Sequence, residues 1–408
     1  MNISEKKSAI SRLTETKTQL EEKIEMYKRE PVTLVPDPKI KKIELLTIIN
    51  QTIGQLENPN KKFAGLFSFS PALNVAAGER CSFGCGHCNE SCTPEGIDMD
   101  YDKLSSLPFN FFLTFSSANF GVKGDPLSYS SHGKDIVDLI SFLDEMAMSK
   151  ITFSLPNHTT ITPTIERLYD YVEKRGEPLY ATQLSYHWYK DKGLKVAEDL
   201  NKALHIFAPI FKRISIPIYA DDYNKKFATE IVKEFIRSSG TIFEGIDLPK
   251  ETLELLNPEC WDFRTSYQFF RIDNFPVKIN DKELLIRVPT VRTNLEPEGR
   301  FAKRLKKQGI YEDYVKKFQE PLKQHHHCRE LIKWKELYLE PNGDVRICTH
   351  YPALFNDKSL VTNLFDRPYE QAVSDLLKRQ EREVQWVVDH LDDLVAEKVS
   401  GCKAVTRF

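Results

Sequence analysis

The 408-residue chain reads as an α/β protein: a parallel sheet or open barrel with helices, followed by a smaller mixed domain. Three features carry that reading. Between Phe63 and Pro289, short runs rich in β-branched and aromatic residues alternate with longer helix-like stretches, the pattern of strand–helix repeats. Beyond Pro289 the pattern gives way to a Pro- and Gly-containing link, a hairpin-like stretch and one long helix. Hydrophobic residues are 41% of the chain, which supports a sizeable core and excludes a mostly disordered protein.

The elements follow in order. Residues 1–62 form a helical segment, somewhat basic, with 12 Lys or Arg against 9 Asp or Glu. Ile3, Ile10, Leu13, Leu20, Ile24 and Tyr27 fall on an a/d spacing, and Leu46, Ile49, Ile53 and Leu56 repeat it. Pro31, Pro36 and Pro38 break the helix between them, giving a helical hairpin that packs on the body or docks a partner. Residues 63–295 carry six candidate strands: Ala72–Ala76, Phe111–Phe115, Ile151–Leu155, Ala181–Ser185, Arg213–Tyr219 and Thr241–Ile246. Lys134–Ser149, Thr164–Lys174, Leu194–Ile206 and Lys225–Ser238 are the candidate helices. Six units fall short of the eight of a closed α/β barrel, leaving a parallel sheet or an open barrel. Residues 296–408 form a small α+β domain, with a hairpin over Glu336–Ile347 turning at Asn342–Gly343 and a helix from Pro368 to about Lys398.

Charge excludes some functions. With 57 basic and 59 acidic side chains the net charge is −2, which gives no electrostatic case for nucleic acid or anionic lipid. No apolar run reaches the 18 or so residues of a membrane span, and Ile43–Ile53 is interrupted by Glu44, Thr47 and Asn50–Thr52. Met1–Arg12 is polar and charged, unlike a secretory signal, so the expected location is the cytoplasm.

The eight cysteines hold the chemistry. Cys81, Cys85, Cys88 and Cys92 lie within twelve residues; Cys260, Cys328, Cys348 and Cys402 are dispersed. In a reducing compartment such a cluster points to metal rather than disulfides. Cys81-Ser-Phe-Gly-Cys85-Gly-His-Cys88 has the spacing C-x3-C-x2-C directly after a candidate strand. Soft thiolates on one tight loop select zinc, copper(I) or iron–sulfur clusters, and Gly84 and Gly86 let the loop curl around one centre. Zinc is the weaker reading, because structural zinc sites commonly use two separated pairs and no second pair exists here. A ferredoxin-like run is only approximated by Cys92-Thr93-Pro94.

At these residues the sequence resembles the radical S-adenosylmethionine (SAM) enzymes, whose signature is C-x3-C-x2-C after the first strand of a partial α/β barrel. The resemblance implies a partial (β/α)6 barrel of radical SAM type and a [4Fe-4S] cluster held by Cys81, Cys85 and Cys88, with the fourth iron open to the amino and carboxylate groups of SAM. Gly124-Asp125-Pro126 follows the candidate second strand, where the family carries a Gly-Gly-Glu-like motif contacting the SAM amino group. The resemblance therefore implies SAM contacts at Gly124, Asp125 and Pro126; taken alone, Gly-Asp-Pro is an ordinary turn sequence. The family usually has an aromatic residue before the third cysteine, near the adenine. Here it is His87, either a stacking imidazole or a hydrogen-bonded loop residue. Cys92 as a further ligand would block SAM, so it is read as a packed, unligated thiol.

Fourteen residues separate Cys328 from Gly343, and four separate Gly343 from Cys348; Cys402 follows the last helix. On spacing alone these are scattered thiols. They are similar, however, to the C-x9–15-G-x4-C of radical SAM enzymes with a SPASM or twitch extension, and Val361–Asp366 matches its Gly-Asn-Leu-like turn. Glu298–Ala302 looks like the link before that extension. The resemblance, covering residues 65 to 402, implies one auxiliary [4Fe-4S] cluster on Cys328, Cys348 and Cys402. Its fourth ligand stays open among Cys260, one of His325–His327, His350 and the substrate.

What the family implies is reductive cleavage of SAM to a 5′-deoxyadenosyl radical that removes hydrogen from a substrate, with a reductant such as flavodoxin or ferredoxin. A peptide or protein substrate is expected ahead of a small molecule, with no nucleic acid or membrane partner. No general acid or base is singled out. The rivals are a zinc-stabilised binding protein and a ferredoxin-like carrier.

Overall fold

The computed structural model describes residues 1–27, 38–59, 61–83, 92–121, 123–148, 150–187, 194–219, 225–257, 259, 271–289, 299–316, 331–347 and 359–399. The fold is mixed α/β with a large parallel sheet and helices. The chain divides into two compact units: Met1–Leu73, Leu107–Phe115 and Val315–Phe408 make one, and Asn74–Ser106 and Ser116–Tyr314 the other.

In the second unit the strands Ser117–Phe120, Lys150–Leu155, Ala181–Leu184, Arg213–Ser215 and Lys282–Val288 lie side by side and parallel. Ile272–Ile279 closes the edge antiparallel to Lys282–Val288, through a turn in which Asn280 and Asp281 both take positive φ. Helices Ile136–Glu145, Pro163–Arg175, Leu194–Phe207 and Lys225–Arg237 supply the connections. Local chemistry sets their ends. Asp135 and Asp138 form a reciprocal capping box on the first, and Thr162 with Pro163 starts the second, which Gly176 ends at φ +76°.

The two faces of this sheet differ. Because side chains alternate along a strand, Ala118, Phe120, Ile151, Phe153, Leu155, Leu184, Ile214 and Ile286 share one face, and all are buried. Phe120 and Phe153 stack there at 5.1 Å, and Phe211 meets Phe153 edge-on. Burial of each such ring contributes roughly 1.5–3 kcal/mol. The other face carries Asn119, Thr152, Ser154, Gln183, Ser215 and Arg287, all half-buried. Asn119 donates to Asn74 at 2.7 Å and accepts from Thr152, a polar ladder across strands.

In the first unit, helices Ile3–Tyr27 and Pro38–Glu57 bury Leu13, Leu20, Ile48 and Ile49 in one cluster with Leu331, Ile332, Val387, Leu391 and Leu394. Strands Trp334–Leu339, Asp344–Arg346 and Leu360–Asn363 are antiparallel. The expected turn at Asn342–Gly343 is present, with Gly343 at φ +88° packed so closely on Phe365 that a side chain has no room. Asn363 Oδ1 accepts from the amides of Phe365 and Asp366, both at 2.8 Å, which fixes the following turn. The long C-terminal helix is divided at His390 into Tyr369–Asp389 and Leu391–Val395.

Two expected strands are helical. Phe111–Phe115 begins inside the helix Phe109–Phe112, and the second strand is Ser117–Phe120. Phe111, Phe112 and Phe115 are all buried at a helical i, i+1, i+4 spacing, and Phe111 stacks on Phe63 at 5.4 Å. Thr241–Ile246 likewise overlaps the helix Ser239–Ile242, burying Ile242, Phe243 and Ile246 at the same spacing. In its place Lys282–Val288 pairs parallel with Arg213–Ser215.

Candidate functional site

The cysteine loop leaves the end of the strand Phe67–Val75 through a hydrogen-bonded neck. Ala77–Cys81 runs beside Thr93–Met99: Met99 donates to Ala77 O at 2.8 Å, Glu79 to Ile97 O at 2.8 Å, and Cys81 to Thr93 O at 3.0 Å. Arg80 crosses the neck, its Nε 3.2 Å from Gly96 O and 3.0 Å from Asp98 Oδ2. Burial pushes the Asp98 carboxyl up; the Ser130 amide and then Arg80 work against that shift.

A third segment locks onto the neck. Asp125 N–H donates to Arg80 O at 2.7 Å, and Gly124 N–H points at Cys92 Sγ, 3.2 Å away. Gly124 is required twice over. Its φ is +64°, and a Cβ would fall 2.8 Å from Arg80 O and closer still to Gly78 O. Cys92 is 5% exposed, and its carbonyl accepts from the Arg300 guanidinium. The thiol of Cys92 is thus turned to the Gly124 amide. Cys81, at the loop's start, is half-buried.

Asp125 is 3% exposed. Its Oδ1 accepts from Leu127 N–H at 3.1 Å, capping the short turn Pro126–Ser128, while Oδ2 accepts from the Ser128 hydroxyl at 3.2 Å. His158 Nε2 lies 3.0 Å from the same Oδ2, and the ring of Phe83 meets His158 edge-on at 4.9 Å. A carboxylate has about four acceptor positions, and the Leu127 amide and Ser128 hydroxyl occupy two of them, while His158 Nε2 lies close by without a hydrogen bond. Phe83 sits inside the cysteine loop, so His158 links that loop to Asp125.

Of the residues singled out from sequence, Cys81, Gly124, Asp125 and Pro126 come together here. Cys85, His87, Cys88, Cys328, Cys348 and Cys402 lie outside the described residues, as do Cys260, His325–His327 and His350. The donor chemistry of three thiols on one pinched loop fits an iron–sulfur cluster, and Gly124 gives the close backbone approach expected beside it.

No family model matches the chain, and no curated protein matches it. Among solved structures, the crystal structure of Streptococcus suis SuiB bound to S-adenosylmethionine aligns at 15% identity over 85% of this chain and 74% of that one. The TM-score is 0.38. No helix among the described residues is long and apolar enough to cross a membrane.

Sequence reasoning missed His158, Arg300 and the polar sheet face. His158 had one usable signal: it stands just past the carboxyl end of a legible strand, where side chains of parallel sheets meet ligands. The polar face was written in the alternation of Thr152 and Ser154 with Ile151, Phe153 and Leu155.

Proposed function

We propose that this chain is a radical SAM enzyme acting on a peptide or protein, with residues 63–295 as its partial-barrel core and 296–408 as a twitch-like extension. The observation that supports it most is the neck. C-x3-C-x2-C emerges after the strand Phe67–Val75 from a base onto which Gly124-Asp125 is hydrogen-bonded. Cys81, Cys85 and Cys88 would hold the [4Fe-4S] cluster, and Cys328, Cys348 and Cys402 one auxiliary [4Fe-4S] cluster. When bound and reduced by a flavodoxin or ferredoxin, the first cluster with SAM supplies one-electron cleavage to methionine and a 5′-deoxyadenosyl radical, which takes hydrogen from substrate.

The chain's own residues have other tasks. The neck fixes the loop that presents the three thiolates. Gly124 lets the backbone approach, and Asp125 keeps acceptor positions for the SAM amino group while the Leu127 amide and Ser128 hold its carboxylate still. His87 is proposed to lie by the adenine. The polar sheet face offers the substrate a hydrogen-bonding wall.

The test is anaerobic reconstitution. About eight iron and eight sulfide per chain are expected. Replacing Cys81, Cys85 and Cys88 together by Ala removes half the iron and all 5′-deoxyadenosine formation. Persistence of 5′-deoxyadenosine in that variant overturns the proposal, and a colourless protein that binds only zinc favours a non-catalytic binding role.

A further inference from the structure

Among the described residues, the polar face of the parallel sheet holds a half-buried cation, Arg287, that meets no counter-charge. Four adjacent strands place Ser154, Gln183, Ser215 and Arg287 in register, Ser154 against Gln183, Gln183 against Ser215, and Ser215 against Arg287. The row lies toward the carboxyl ends of these strands, where ligands of parallel sheets bind. All four side chains are half-buried, and none bonds to another side chain among the described residues. One row earlier the chain behaves differently, since Asn74, Asn119 and Thr152 satisfy each other.

Arg287 differs from the paired arginines of the fold, and from Arg213 on the same face, whose guanidinium lies over the Tyr180 ring at 5.0 Å. Arg175 pairs with Asp144 at 2.8 Å, Arg346 with Glu340 at 2.6 Å and Arg379 with Glu383 at 3.1 Å. Ile286 and Val288 on either side of Arg287 are buried on the opposite face, so its guanidinium belongs to the polar side. A cation taken partly out of water is costly unless an anion meets it. Among the described residues no carboxylate does, and the guanidinium fork matches a carboxylate with two parallel hydrogen bonds. At about 4.8 Å per strand, the row from Ser154 to Arg287 spans roughly 14 Å, room for several residues' worth of ligand.

We propose that Arg287, with Ser215 beside it in register, anchors the carboxylate of an acidic side chain in the peptide substrate. Gln183 and Ser154 continue the row as hydrogen-bonding partners for the peptide backbone. The inference rests on the proposed peptide-modifying function and names its substrate class.

The experiment titrates the full-length, reconstituted protein with two probes, acetyl-Gly-Glu-Gly-amide and its Gln twin, by calorimetry, and measures SAM cleavage separately. Wild type is expected to bind the Glu peptide about tenfold tighter than the Gln peptide. Arg287→Gln abolishes the preference, while Arg287→Lys retains a part of it, because an ammonium keeps the charge but loses the fork. SAM affinity and substrate-free 5′-deoxyadenosine formation stay within about twofold of wild type in both variants if the carboxylate belongs to substrate and not to SAM. Equal binding of the two probes by wild type overturns the proposal without recourse to any variant. So does a preference retained in Arg287→Gln, or loss of SAM binding in a folded Arg287→Lys protein. A wild type that prefers Glu yet never cleaves SAM upholds the anchor and sinks the radical SAM reading, so the two failures are distinguishable.

Discussion

Cys92 shows how one residue in a cysteine-rich loop is assigned by its neighbours. Its Sγ accepts from Gly124 N–H and its carbonyl from Arg300, so it ties the end of the loop to two distant segments. Cys92→Ala leaves the Gly124 amide without that acceptor in a buried place. A loss of about 1–3 kcal/mol in urea unfolding is expected, with the first cluster still assembling from three thiolates. Cys92→Ser keeps an acceptor and loses less. Loss of that cluster's absorbance in the Ser variant would instead mark Cys92 as a ligand. None of this was legible from spacing. The motif Cys81–Cys88 is coded within eight residues and can be read directly. The bond from Gly124 to Cys92 joins residues 32 apart, and Asp125 meets His158 only because neighbouring strands bring their ends together.

Elements differ in how far their own sequence decides them. Lys150–Leu155 and Ala181–Leu184 were legible because β-branched and apolar residues alternate with small polar ones between well-capped helices. Phe111–Phe115 and Thr241–Ile246 were not, because a five- or six-residue apolar run fits a buried strand and a helix turn equally well. Tertiary packing decides, and around Phe111 it is a cluster with Phe63, Phe67 and Tyr369 that rewards the helical spacing. The C-terminal helix Tyr369–Asp389 is decided by a buried network instead. Glu383 is fully buried, pairs with Arg379 at 3.1 Å and accepts from Trp334 Nε1 at 3.0 Å, while Gln380 donates to Ile332 O at 2.7 Å. Glu383→Leu removes the buried carboxylate that meets both Arg379 and Trp334 and is expected to cost about 3–5 kcal/mol in chemical denaturation. Adding Arg379→Met to that variant should restore a good part of the loss, since two apolar side chains replace an ion pair whose desolvation offset much of its attraction. A double variant less stable than the single one would mean that the pair's geometry outweighs its desolvation.

For the whole molecule the open question is whether the three late cysteines act as one site. They are separated by up to 53 residues between Cys348 and Cys402, so sequence proximity cannot gather them. The described residues around them give a physical reason to expect convergence. Leu331 and Ile332, which follow Cys328, share a single buried cluster with Leu391 and Leu394, which precede Cys402. Ile347, directly before Cys348, is itself buried, and its amide donates to Ser359 O at 3.2 Å, pinching the base of the segment that begins with that cysteine. Replacing Cys328, Cys348 and Cys402 by Ala is therefore expected to halve the iron while leaving reductive cleavage of SAM intact. Turnover of the proposed peptide substrate should stop, because the proposed auxiliary cluster would serve as electron acceptor or substrate anchor. The decisive measurement pairs iron content with 5′-deoxyadenosine yield in the same sample. Half the iron with undiminished 5′-deoxyadenosine assigns the three thiols to a second centre. Full iron content makes them packing residues and leaves a single-cluster enzyme, in which an electron released by substrate must leave by way of the first cluster.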